Sequence, residues 1–205
     1  SAWPYRPLEL VRLLAFAALY AVLAVVVLRL FSGNGVVSIV WPPSGLALAV
    51  LLLGGRKYAP GIWLGACLGN LLAGSSPLVS ALIALGNTLE ALTAVWLLAG
   101  WKPRPGFDPG LHNLRDLLRL IFLGGFTASM VSALIGSTVL LASGAIGSAA
   151  YGVNLAYWWM GDTLGIVLLT PLLLVWRHPP DWRARGRFGE AALLFGVSAL
   201  VGQIV

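Results

Sequence analysis

The sequence predicts an all-α integral membrane protein, a polytopic bundle of transmembrane helices, and composition, segmentation and charge placement predict it. Of its 205 residues 59% are hydrophobic and only 10% charged, with a mean hydropathy of +0.91. No water-soluble domain has enough interior to hide that much apolar surface. Apolar runs fall at about 8–31, 36–54, 58–74, 77–99, 117–143, 151–176 and 190–205. Each is near the roughly 20 residues a helix needs to cross hydrocarbon, the second and third being on the short side. The net charge of +6 does not mark a nucleic-acid binder. Its basic residues cluster between the runs instead of lining one face, so the expected partner is the lipid bilayer.

About seven crossings are therefore visible, and charge orients them. Arg6, Arg12, Arg56, Lys57, Lys102, Arg104, Arg115, Arg119, Arg177, Arg183, Arg185 and Arg187 share one side if the runs alternate, whereas Arg29 alone falls opposite. The positive-inside rule then puts the N-terminus in the cytoplasm. Ser32 to Gly35, Gly74 to Pro77 and Ser143 to Ala150 are uncharged outer loops. The last run heads outward with no polar cap, so a chain truncated before at least one more crossing is expected.

The first run lacks a small-residue cleavage site followed by a soluble domain, so it reads as a membrane helix and not a removable signal peptide. The second is interrupted by Trp41-Pro42-Pro43-Ser44-Gly45. Proline suits the first helical turn and pushes its predecessor into extended backbone. A regular helix from Pro42 or Pro43 to about Leu53 is roughly 17 Å long, too short to cross. Val36 to Trp41 would then dip in as non-helical backbone, and the half-helix would aim its positive end at mid-membrane. The competing reading is a proline-rich helix start at the outer interface, with Trp41 as a belt residue.

In the third run Gly61, Gly65 and Gly69 form a face that another helix can approach closely, with Asn70 beside it. The fourth carries Asn87 and Glu90, three apart on one face. Asp108-Pro109 reads as a helix cap, followed by an amphipathic turn feeding the fifth run. The sixth holds Trp158-Trp159-Met160-Gly161-Asp162 inside an apolar stretch, with Gly161 and Gly165 as a small-residue pair. An acid at mid-bilayer is a functional candidate by default, although a protonated acid bonded to a neighbouring helix is the plainer alternative. For Asn70 and Asn87 an interhelical hydrogen bond is the plainer alternative to a ligand contact. The only cysteine, Cys67, reads as a small packed hydrophobe. His112 and His178 lie next to loops, so no metal site is assembled and no cofactor is expected.

Depth can be counted at 1.5 Å per residue from each cytoplasmic end. Trp41 to Pro43 then lie at roughly 20 Å, Asn70 at about 20 Å, Glu90 at about 16 Å and Asp162 at about 22 Å. With no Lys or Arg in that layer, the acids either keep their protons or await something positive: an amine, a metal cation, a proton. A helix N-terminus beside them would suit an anion, so a small zwitterion would satisfy both ends.

Those residues also carry a resemblance. Trp41-Pro42-Pro43-Ser44-Gly45, the Gly-Ala-Cys-Leu-Gly-Asn stretch ending at Asn70, Gly86-Asn87-Thr88-Leu89-Glu90-Ala91, and Trp158 to Asp162 with Pro171 resemble the MASE1 family in order. This is the membrane-associated sensor domain of bacterial signalling proteins. The resemblance implies a single transmembrane sensor domain over residues 1–205, with about eight crossings where about seven are visible. It also implies a multi-pass place in the bacterial inner membrane. A cytoplasmic histidine kinase, diguanylate cyclase or phosphodiesterase output would follow in the same chain, and the assembly would be a homodimer. The segment itself would be non-catalytic, catalysis belonging to the parent chain's output. Trp41, Asn70, Asn87, Glu90, Trp158 and Asp162 are the residues expected to bind an unidentified small-molecule cue or couple it to output. A transporter or substrate-capture component is the alternative, since a broken helix, buried acids and glycine seams fit that too.

Overall fold

The computed structural model describes residues 5–31, 40–100 and 106–176, and every regular element among them is helical. In chain order these are α1 (Pro7–Phe31), α2 (Pro42–Gly54), α3 (Ala59–Leu72), α4 (Pro77–Ala99), α5 (Leu114–Arg119), α6 (Ala128–Ala142) and α7 (Tyr151–Val175). A π-helical segment, Leu120–Thr127, joins α5 to α6 without a break. The run at 190–205, Lys102, Arg104, the four arginines from Arg177 to Arg187, the outer loop at 32–35 and the backbone at 36–39 lie outside the described residues.

Among the described residues, four helical stretches are long and apolar enough to cross a membrane: Pro7–Arg29, Pro77–Ala99, Leu114–Ala142 and Ser148–Val175. The protein is thus a multi-pass, all-helical membrane protein. The expectation of a short second helix holds, because α2 begins at Pro42 and has 13 residues. The third element proves nearly as short, with 14 residues in α3. At 1.5 Å per residue each is about 20 Å long, below the roughly 30 Å of hydrocarbon. Gly55 makes the bend between them: its φ of 89° closes α2, and a 3₁₀ turn at Arg56–Tyr58 leads into α3.

The glycine face of α3 is filled by α1. A Cβ on Gly61 would lie 2.9 Å from the Phe16 ring, one on Gly65 2.6 Å from the Ala17 carbonyl oxygen, and one on Gly69 2.7 Å from the Ala24 Cβ. Removing side chains lets the backbones approach, which is how helices associate where no hydrophobic drive separates protein from lipid. Tyr20, Ile62 and Ala66 are buried in this seam. The outward residues Val11, Leu14, Val22, Leu78, Phe122 and Leu168 are large, apolar and exposed, as a lipid-facing surface requires.

At one end of the bundle Lys57 Nζ meets Glu9 Oε1 at 2.5 Å, Tyr5 donates to the Lys57 carbonyl at 2.7 Å, and Arg56 donates to the Gly100 carbonyl. The ammonium–carboxylate contact with Glu9 raises the Lys57 pKa. The expected cap at Asp108 is displaced to Asn113. Asn113 Oδ1 accepts the Asp116 backbone N–H at 2.9 Å and α5 starts at Leu114. Asp108 instead closes a turn, accepting the Gly110 N–H at 2.8 Å and meeting His112 Nδ1 at 2.6 Å. Gly110 and the left-handed Leu111, at φ 54°, prevent a helix from starting at Pro109.

Candidate functional site

The site grows from an antiparallel register between α4 and α6. On α4, Asn87 and Glu90 are three residues apart and point the same way. On α6, Ser129 and Ser132 have the same spacing in the opposite direction. The pairs meet in sequence: Ser132 donates to Asn87 Oδ1 at 2.8 Å, and Ser129 donates to Glu90 Oε1 at 3.2 Å. Both serines are buried, and without these partners each would strand a polar group.

The π segment delivers α6 to this register. An i→i+5 turn frees carbonyls from the ordinary helical ladder, and nearby donors take two of them. Thr127 Oγ1 donates to the Phe122 carbonyl at 2.8 Å, and Trp159 Nε1 donates to the Phe126 carbonyl at 2.8 Å. The Trp159 ring rests edge-on against Phe126, with centroids 4.5 Å apart.

α7 brings the second acid. Its Gly165 lies so close to α2 that an added Cβ would overlap the Trp41 carbonyl oxygen, and a Cβ on Gly45 would overlap the Gly165 oxygen. Main-chain and side-chain bonds lock this crossing: Trp41 N–H to the Gly161 carbonyl at 2.9 Å and Thr170 Oγ1 to the Gly45 carbonyl at 3.0 Å. Val40 and Trp41 are non-helical and α2 starts at Pro42, as both readings of the Trp-Pro-Pro motif expect.

Ser44, the third residue of α2, is where the elements converge. Its hydroxyl lies 3.0 Å from Glu90 Oε2 and 3.3 Å from Asp162 Oδ1. Glu90 and Asp162 are each 1% exposed. Neither has a salt-bridge partner among the described residues, and no group of three metal-ligating side chains occurs there. Trp158 Nε1 donates to Ser132 Oγ at 3.2 Å, which joins it to the Asn87 pair, and Ser132 and Trp158 in turn lie against the Asp162 carboxyl. The Trp158 ring covers Gly136, where a Cβ would overlap it.

Of the residues expected from sequence, Asn87, Glu90, Trp158 and Asp162 thus lie in one network, and Trp41 frames it through its backbone. Asn70 does not join: its Nδ2 donates to the Ala66 carbonyl of its own helix at 2.9 Å. Sequence reasoning missed Tyr20, Ser129 and Ser132, and it treated Ser44 only as part of a motif. The paired spacing of the serines with Asn87 and Glu90 was the available signal for α6. Tyr20, a phenol in the middle of an apolar helix, was the signal for α1. It is 0% exposed, and its hydroxyl lies beside Trp41 and Asn87 without a hydrogen-bond partner. Asp162 Oδ2 also has none.

No curated protein and no solved structure matches this chain. The MASE1 family model matches residues 12–205. That span takes in the Trp-Pro-Pro half-helix, the acid of α4 and the acid of α7 described above. The chain therefore belongs to the MASE1 family of membrane-associated sensor domains.

Proposed function

We propose that this chain is the input module of a bacterial signalling protein of the inner membrane, with its N-terminus in the cytoplasm. A small cue is received in the layer formed by Ser44, Asn87, Glu90, Trp158 and Asp162, and a cytoplasmic kinase, diguanylate cyclase or phosphodiesterase in the same chain answers. The observation that carries this reading is the pair of buried carboxyls from α4 and α7 joined through one hydroxyl of α2. Acids are costly in a bilayer, and a pair retained without a cationic side chain points to an exchangeable partner. The layer ties α2, α4, α6 and α7 together, so an occupant bound better in one helix arrangement than another shifts the equilibrium between them. Trp41 and Trp158 frame the layer, and Asn70 supports the fold from α3. The full assembly is read as a homodimer with about eight crossings per chain, one more than the seven apolar runs of this sequence.

The test is output activity of the full-length protein in nanodiscs, wild type against Asp162→Asn, across a panel of ions, amines and metabolites and across pH. A compound that changes wild-type output and leaves a folded Asp162→Asn variant indifferent supports the reading. Equal responses in both would remove the layer from signalling. A transport function has one observation in its favour, the half-helix α2 ending at the acids. It predicts substrate flux into proteoliposomes.

A further inference from the structure

We propose that the acid layer is a binding site for one small monovalent metal cation, which exchanges there with a proton shared by Glu90 and Asp162. The proposal rests on the reading of this layer as the sensing site, and it names the chemical class of the cue.

Counting hydrogens is the first step. A serine hydroxyl carries one hydrogen, yet Ser44 Oγ is within hydrogen-bond distance of both Glu90 Oε2 and Asp162 Oδ1. Both contacts are hydrogen bonds only if a carboxyl supplies the second hydrogen. Glu90 Oε1 accepts from Ser129 at 3.2 Å, and Ser132 and Trp158 lie against the Asp162 carboxyl. One proton is therefore shared by the pair: the carboxyl that holds it donates to Ser44, and Ser44 donates to the other carboxyl. The pair then carries a single negative charge.

The start of α2 favours that charge. Pro42 and Pro43 have no N–H to offer, and the Ser44 N–H is bound to the Trp41 carbonyl at 3.2 Å. The helix end therefore acts through its dipole, with its positive pole at the acids. A monovalent ion that replaces the proton keeps the net charge unchanged. A divalent ion would cancel the charge that the helix end stabilises.

The donors suit a hard cation. Asp162 Oδ2 and the Tyr20 hydroxyl are both buried oxygens without a partner. A phenylalanine at position 20 would fill the same space without burying an unpaired hydroxyl, which is costly. Oxygen lone pairs from carboxylates and hydroxyls are what alkali and alkaline-earth ions take. Close crossings at Gly45–Gly165 and Gly136–Trp158 favour a bare ion over an organic amine. Among the described residues, the titratable groups facing the layer are Tyr20 from α1, Glu90 from α4 and Asp162 from α7. From α2 and α6 come only the hydroxyls of Ser44, Ser129 and Ser132.

The exchange balances simply. One ion enters, the O–H bond of the carboxyl that holds the proton breaks, and that proton leaves to solvent. Full-length protein in nanodiscs would be titrated with lithium, sodium and potassium chloride against N-methyl-D-glucamine chloride at constant ionic strength. Tryptophan fluorescence and proton release to a pH indicator would be followed together. The expected result is a saturable response to at least one alkali ion with one proton released per ion bound. Where the pair is protonated, half-saturation rises about tenfold for each unit fall in pH. Asp162→Asn abolishes the response, and Tyr20→Phe, which preserves packing, raises half-saturation by about tenfold or more. Proton titration without any ion dependence would overturn the proposal, as would an identical ion response in both variants. Ion binding with unchanged output would retire the sensing reading and leave the site standing. Output driven by another compound, with no ion bound, would retire only the site.

Discussion

Along the α1–α3 seam, Gly61, Gly65 and Gly69 receive Phe16, Ala17, Tyr20 and Ala24, and what meets there is apolar side chain and backbone. At the α2–α7 crossing, Gly45 and Gly165 bring two backbones equally close, but the approach carries Ser44 to Asp162. The first contact packs a helix pair. The second uses the same small-residue geometry to hold a polar group where it is expensive, so packing there is a means of positioning chemistry. Tyr20 belongs to both regions: its Cβ sits 2.8 Å from where a Gly65 Cβ would be, and its hydroxyl lies beside Trp41 and Asn87. A change at the layer thus has a physical route to α1 through one side chain.

The largest expected effect breaks the dry side of this comparison. Gly65→Leu would force a branched side chain against the Ala17 carbonyl and the Tyr20 Cβ, and neither can retreat cheaply. A loss at or above the about 1–3 kcal/mol typical of overpacking is expected, visible as a lower midpoint in detergent thermal unfolding. Next comes Ser132→Ala, which leaves Asn87 Oδ1 and Trp158 Nε1 without their shared partner. A cost of roughly 1–3 kcal/mol is expected on the same measurement, accompanied by a change in Trp158 emission. Ser132→Thr, which keeps the hydroxyl, should retain the emission if the bond and not the volume matters.

The smallest effect lies outside the membrane-spanning helices. The hydrogen bond from His112 and the Gly110 N–H hold the Asp108 carboxyl below the usual aspartate range. A depressed pKa stabilises the fold above the ordinary aspartate value and loses that contribution as pH falls through the lowered one. Amide exchange at Gly110 should therefore quicken below that range. His112→Ala should shift the onset to higher pH and leave the layer's response untouched.

What the sequence made legible follows from which signals are local. The short α2 could be read because proline acts on its own turn and its predecessor, and Pro42 does start the helix. The glycine face of α3 could be read from its spacing, but α1 as its partner could not, because spacing says nothing about which helix fills a groove. Glu90 and Asp162 announced themselves as acids in apolar runs. Asn70 satisfied the same depth count, yet it bonds its own helix, since depth along an axis does not fix the direction a side chain faces. The serines of α6 were silent for a related reason: a hydroxyl in a membrane helix is cheap enough to be ordinary until its partner is known. The π segment around Gly124 and Gly125 sets their register, and no local rule read from the chain announced it.

The measurement that tests the account most directly compares Asp162→Asn with Gly61→Ala, whose added Cβ meets Phe16 and not Tyr20, in the full-length protein, following folding and output response together. Separation of the two properties is the predicted result. The alanine variant unfolds more readily, but its folded fraction answers the cue as wild type does. The asparagine variant folds and does not answer. An Asp162→Asn protein that responds like wild type would contradict the claim that the buried acids of α4 and α7 form the sensing layer.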